Sequence, residues 1–483
     1  SSEPVSRTQE PVVSKYRLAM APEPTNGAKY AAEFLGTALL MFTVGCNVLS
    51  GNRVWGSTSI ACSLMVGIYA LGGISGANFN PAVSLSLGLS KMLSGPGLEL
   101  KDMGIYFAVQ VVAAIAAAFA YTELFWNDFN LTPSSGFGWR DAMVCEILYT
   151  FMLCFVVLNV AAAKKNTPNN FYGLAIGFVI IAAGVYGAGM ASGGCFNPAV
   201  AIGIDLSSYH KGFGWCFIFM IWEFIGSMLA VGLFRVVRPE EFGAEKNLVA
   251  ELTSEFLGTF MLVVTVGLNV MGRTPDGAWS IACALMSMIY ALGDVSGAHF
   301  NPAVTVAILA SGRAPDLTPA KAGQYIGAQV LGAMLAALLY SGIYNGASFK
   351  LGPGAKFSYG GVAVAEFVFT FLLCFVVLSV AVSAKTSNPT MFGLAIGSCI
   401  TCGVNAIGAV SGGALNPAVA VGIATGHRFA DGSFCAAMTF SVVELIAAAA
   451  AAGVFGITHA VDLEAPDKKV EPETADKKAE AEA

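Results

Sequence analysis

Apolar residues gather along this chain into long runs separated by short polar segments, and the runs have the length of membrane crossings. A hydrocarbon core about 30 Å thick is spanned by about 20 mostly apolar helical residues. Runs of that kind lie near Tyr30–Leu49, Ser57–Gly76, Met103–Leu124, Ala142–Ala163, Phe171–Gly189 and Phe213–Val237. Six more follow near Leu252–Met271, Trp279–Gly297, Ala320–Tyr340, Val362–Ser383, Phe392–Ala409 and Cys435–His459, so the pattern predicts twelve helical spans. None resembles a cleavable signal peptide. Residues 1–28 form a polar tail that carries prolines, and residues 461–483, an acidic tail with no apolar face, are expected to stay solvated and disordered.

The runs repeat. GluPheLeuGlyThr occurs at Glu33–Thr37 and Glu255–Thr259, CysPheValValLeu at Cys154–Leu158 and Cys374–Leu378, and the Gly-Leu-Ala-Ile-Gly of Gly173–Gly177 recurs at Gly393–Gly397. Two units, 29–237 and 248–460, are therefore expected on either side of a short charged linker, 238–247. That linker is too short to cross a bilayer, so each unit must begin and end on one side, which six spans satisfy. Each unit also repeats internally. AsnProAla occurs four times, at Asn80, Asn197, Asn301 and Asn416, always after a Ser-Gly pair, and a Glu opens the first and fourth spans (Glu33, Glu146, Glu255, Glu366). Three spans per half is an odd number, so the second half must be inverted relative to the first, an arrangement of transporters and channels with the working site near the midplane.

Composition supports lipid as the solvent. The chain has 483 residues, 56% hydrophobic and only 12% charged, against about 25% charged in ordinary soluble proteins. A net charge of −6 without a long basic run excludes nucleic acid as a partner. If the tails, the linker, the segments after the first AsnProAla of each unit and the loops between fourth and fifth spans share a side, that side holds 18 of the 25 Lys and Arg residues. That excess marks it as cytoplasmic or its equivalent. The eleven cysteines are odd in number and mostly lie inside apolar runs, so they read as small hydrophobes, the Cys399/Cys402 pair included. No nucleophile, metal-ligand cluster or phosphate-cradling loop is present, so no enzyme and no cofactor is expected.

Asn caps helices with its side-chain oxygen, and Pro suits the first helical position, where its missing N–H costs nothing. Each AsnProAla should therefore start a helix. The stretch Ala82–Leu89 is too short to span the core, so it is expected to be a half-helix that starts near the midplane, with an inverted counterpart starting at Asn197. Two helix N-termini meeting there would place positive dipole ends and Asn donors along a pore, repelling cations and offering hydrogen bonds to a neutral molecule.

From residue 29 to 460 the chain resembles two fused members of the aquaporin, or major intrinsic protein, family, on the motifs SGANFNPAV, SGGCFNPAV, SGAHFNPAV and SGGALNPAV and the AEFLGT-like openings. The resemblance implies an all-α integral membrane protein of two aquaporin-like units, each with six transmembrane helices and two re-entrant half-helices as inverted repeats. It implies that Glu33, Glu146, Glu255 and Glu366 brace the re-entrant loops. The filter positions, counted back from the motifs without gaps, are Ile60, Val185, Gly194 and Val200 in unit 1 and Ile281, Val404, Gly413 and Val419 in unit 2. Val200 and Val419 stand where the family carries an Arg. Glu223 and Glu444 stand in the sixth spans where a Pro is common, and a hydrogen-bonded structural role is expected for them over transport. Asp294 and His299 in unit 2 replace Gly73 and Asn78 in unit 1.

An apolar filter has two competing consequences. It admits larger neutral solutes such as glycerol, urea, hydrogen peroxide or ammonia, or it dewets and conducts little. The leading expectation is passive conduction of water or small uncharged solutes. The alternatives are a closed scaffold subunit docked in a larger membrane assembly and, more distantly, an ion- or proton-coupled carrier built on Glu223 and Glu444. Because family members form tetramers, a homodimer completing a four-unit ring is expected.

Overall fold

The protein is described by a computed structural model, which covers residues 23–184, 187 and 189–460. The expectations for residues 1–22, for 461–483 and for Val185 lie outside the described residues. Unit 1 contains α1 (Asn26–Leu49), α2 (Gly56–Ser75), α3 (Pro81–Met92), α4 (Leu100–Phe125), α5 (Trp139–Val157), α6 (Tyr172–Ala183), α7 (Pro198–Ser207) and α8 (Trp215–Val237). Unit 2 repeats the series as α9 (Leu248–Gly272), α10 (Gly277–Ser296), α11 (Pro302–Ser311), α12 (Pro319–Ile343), α13 (Tyr359–Val377), α14 (Phe392–Ile407), α15 (Pro417–Gly426) and α16 (Ser433–Thr458). No strand occurs among the described residues. The chain is an all-α integral membrane protein of two like units.

The helices begin where the sequence supplies a cap. Thr25 accepts from the N–H of Ala28, Asn247 from that of Ala250, and Thr318, followed by Pro319, from that of Lys321. Among the described residues, ten helices are long and apolar enough to cross a membrane. Large apolar side chains such as Leu39, Val66, Phe119, Leu124, Ile221 and Leu229 face outward, as a lipid-facing belt requires. The fifth span of each unit is shorter than its apolar run suggests. In place of Phe171–Gly189, α6 has 12 residues and stops because Gly184 takes a left-handed φ of 59°. Its counterpart α14 runs on for 16 residues to Ile407.

Within each unit the halves interlock. The half-helix α3 packs on α8, the last span of the other half, and α7 packs on α4; in unit 2, α11 packs on α16 and α15 on α12. Glycines permit several close approaches, one of them at the first motif of each unit. A Cβ at Gly36 would sit inside the ring of Phe79, and one at Gly258 inside that of Phe300, so the phenylalanine beside each first AsnProAla lies flat against the first span.

The units join along α5 and α6 of unit 1 and α9 and α10 of unit 2. Hydroxyl groups stitch this seam. Ser280 donates to the Ala182 carbonyl at 2.7 Å, Ser287 to that of Ala175 at 3.0 Å, and Tyr149 and Thr265 pair at 3.0 Å. Phe171 stacks on Tyr290 with centroids 4.5 Å apart. At the linker, fully buried Arg238 donates to Asn159 Oδ1 (2.6 Å), to both oxygens of Asp294 (2.7 and 2.6 Å) and to the Ala291 carbonyl (2.9 Å). Satisfying a guanidinium on this many acceptors is what makes its burial tolerable.

Candidate functional site

Each AsnProAla does start a helix, and the four are built alike. The Asn backbone is extended (φ between −155° and −162°), Pro occupies the first turn, and the side-chain oxygen caps the N–H two residues on at 2.8–3.0 Å. The amide nitrogens reach across to the opposite half-helix. Asn80 Nδ2 donates to the Phe196 carbonyl (2.8 Å) and Asn197 Nδ2 to that of Phe79 (3.0 Å). Asn301 donates to Leu415 (2.8 Å) and Asn416 to Phe300 (2.9 Å). An amide nitrogen carries two hydrogens, so each Asn spends one on this clasp and keeps another for the lumen that all four line.

The carboxylates opening the first and fourth spans sit beneath these turns, fully buried. Glu33 accepts from Ser75 Oγ (2.6 Å), Asn78 N (3.0 Å), Phe79 N (2.8 Å) and Gln110 Nε2 (2.8 Å). Glu255 accepts from Ser296, His299 N, Phe300 N and Gln329 in the same way. Glu146 holds the N–H groups of Cys195 and Phe196, and Glu366 holds Ser411 Oγ and the N–H groups of Ala414 and Leu415. Glu223 and Glu444 take the next N–H in the run, that of Asn197 (2.7 Å) and Asn416 (2.9 Å). Their second oxygens have no partner among the described residues, and neither carboxylate is among the cavity-lining residues. Gln110 and Gln329 recur at matching places in the third spans, a repeat signal that sequence reading passed over.

Ile60, Gly194 and Val200 line the lumen of unit 1, and Ile281, Val404, Gly413 and Val419 that of unit 2. Helix register revises one position. Ile176, Ile180 and Gly184 line unit 1 at the i, i+4, i+8 spacing at which Ile396, Ile400 and Val404 line unit 2. A Cβ on Gly194 would meet the Gly184 carbonyl at 3.0 Å, as one on Gly413 would meet Val404 Cα at 3.3 Å. Gly184 is therefore the counterpart of Val404. Ungapped counting misses it by one because unit 1 is one residue longer between here and the motif. Asp294, noted for occurring only in unit 2, is taken up by Arg238 in the seam.

The Major intrinsic protein family matches the chain twice, over residues 21–234 and 243–455. The chain belongs to that family. Members of the family are channels, not enzymes. Aquaporin NIP1-1 of Zea mays is 33% identical over 222 residues, covering 43% of this chain and 74% of its own. Glycerol uptake facilitator protein-like 6 of Lactiplantibacillus plantarum is 31% identical over 226 residues, covering 44% of this tandem family member and 99% of its own length. Among solved structures, the aquaglyceroporin from Plasmodium falciparum aligns over 45% of this chain and 100% of its own with 23% identity and a TM-score of 0.39.

Proposed function

We propose that this major intrinsic protein is a passive channel for water and small uncharged solutes of the glycerol class, with one pore per unit. The observation that carries this reading is the set of four capped half-helices whose Asn amides line two lumens and keep a free donor there. In this reading Asn80, Asn197, Asn301 and Asn416 replace part of a solute's hydration, while the paired helix N-termini repel cations. Glu33, Glu146, Glu255 and Glu366 hold the turns, and Glu223 and Glu444 cap the second half-helix instead of relaying charge. The aliphatic positions Ile60, Gly184, Gly194 and Val200, with Ile281, Val404, Gly413 and Val419, select by size.

The chain is also proposed to dimerise into a four-unit ring. The seam joins two different faces, and such head-to-tail contacts close into a ring where the rotation between units closes. The face of α1 and α2 in unit 1 and that of α13 and α14 in unit 2 are left open, matching the two faces already used within the chain.

The function is tested in proteoliposomes by light scattering after osmotic shock, comparing wild type with Asn197→Asp plus Asn416→Asp. Asp also caps helices but, having no N–H, gives up both the lumen donor and the bond to the Phe79 or Phe300 carbonyl. Loss of the wild-type flux in a variant that elutes and folds normally is expected. Wild-type rates equal to those of empty liposomes would indicate a closed scaffold instead.

A further inference from the structure

The two lumens share most of their walls, since Leu40, Ile60, Ile68 and Ile176 in unit 1 face Leu262, Ile281, Ile289 and Ile396 at the same stations in unit 2. Their volumes nevertheless differ sharply. In unit 1 a single cavity of about 640 Å³ runs from Asn169 and Tyr172, past Asn80 and Asn197, to Asn130 and Ser134 at the far mouth. In unit 2 the space around Asn301 and Asn416 is only about 60 Å³, and a separate vestibule of about 300 Å³ lies on the linker side. The first is one continuous space that includes both mouths, whereas the second leaves room around the two Asn residues for only a few water-sized molecules.

Two substitutions between the units narrow the second lumen. At the far end, Gly184 ends its helix with φ 59° and carries no side chain, so backbone faces backbone across to Gly194. Unit 2 has Val404 there, on a helix that continues, and its Cγ2 lies 3.5 Å from where a Cβ on Gly413 would be. At the linker end, His299 replaces Asn78 and lines both the narrow lumen and the vestibule. Its ring is held by Thr305 Oγ1 at 3.1 Å and by an edge contact to Tyr325 at 5.3 Å, whereas the smaller Asn78 reaches Ser84 Oγ at 3.0 Å. Cys195 against Ala414 runs the other way and leaves unit 1 wider all the same.

We propose that the chain pairs one wide pore with one narrow one: unit 1 carries linear polyols of three or more carbons, and unit 2 passes only solutes of about the size of water, with His299 and Val404 setting its bore. This rests on the reading of both lumens as pores. Closing unit 1 with Val200→Trp, or independently with Ile60→Trp, is expected to lower glycerol and erythritol reswelling of proteoliposomes by about tenfold or more while osmotic water flux falls by only about half. Adding His299→Asn and Val404→Gly to the closed-unit-1 protein should restore polyol reswelling, now through unit 2. Polyol flux that survives closure of unit 1 at half its value or more, or a folded triple variant in which the two added substitutions restore nothing, overturns the proposal. A wild type that passes neither water nor polyol overturns the channel reading itself and this inference with it.

Discussion

Glu33 shows how one buried residue holds an irregular segment at membrane depth. Its two oxygens accept from a hydroxyl, two backbone N–H groups and the Gln110 amide, donors that neither helix nor lipid would otherwise satisfy. Glu33→Ala leaves four donors facing a carboxylate-sized void, at about 1–3 kcal/mol for each that stays unsatisfied. The expected result is a large fall in Tm for Glu33→Ala and a smaller one for Glu33→Gln, which keeps one acceptor; unchanged melting in both would contradict the bracing role. The glutamates and asparagines were legible in the sequence because all four half-repeats carry them in register. Gly184 was not, because its role depends on a left-handed φ and on a one-residue difference in loop length that motif counting conceals. The acceptors of Arg238 were equally hidden: Asn159 and Asp294 lie 79 and 56 residues away in the chain, and a charged linker residue gives no sign of a buried destination.

At the scale of elements, the half-helices follow from local chemistry alone, since Asn followed by Pro specifies a helix start wherever it occurs. The length of α6 does not, because an apolar run reports burial and not where a helix stops. The seam between units is written in hydroxyls that a hydropathy pattern reads as ordinary span residues. Its logic extends to the open faces. Ser280 bonds the Ala182 carbonyl, and Cys283, one turn further along α10, is buried in the seam. The residues at matching stations on the open faces are Ser59 and Cys62 on α2, and Cys402 on α14, with both thiols exposed. In a closed ring Cys62 of one protomer therefore comes within a turn of the partner's Cys402. A short bifunctional maleimide added to the protein in lipid is expected to yield a covalent dimer on denaturing gels. Cys62→Ser and Cys402→Ser should each abolish it, and a monomer under all conditions would contradict the ring.

At the scale of the whole molecule, duplication within duplication explains the architecture. Inversion brings two half-helix N-termini together in each unit, and tandem fusion supplies two such centres in one chain. Fusion also lets the centres diverge, since His299 and Val404 line the lumen of unit 2 alone. Under the proposed function, the largely aliphatic linings around the four Asn residues make size the main filter, with helix dipoles acting against cations. The most direct measurement of this account is the light-scattering time course of proteoliposomes given a glycerol gradient, run beside a potassium flux assay on the same vesicles. The account predicts glycerol-driven reswelling well above that of empty liposomes with potassium flux at their level. Glycerol reswelling no faster than in empty liposomes, or a potassium flux that rises with it, would contradict it.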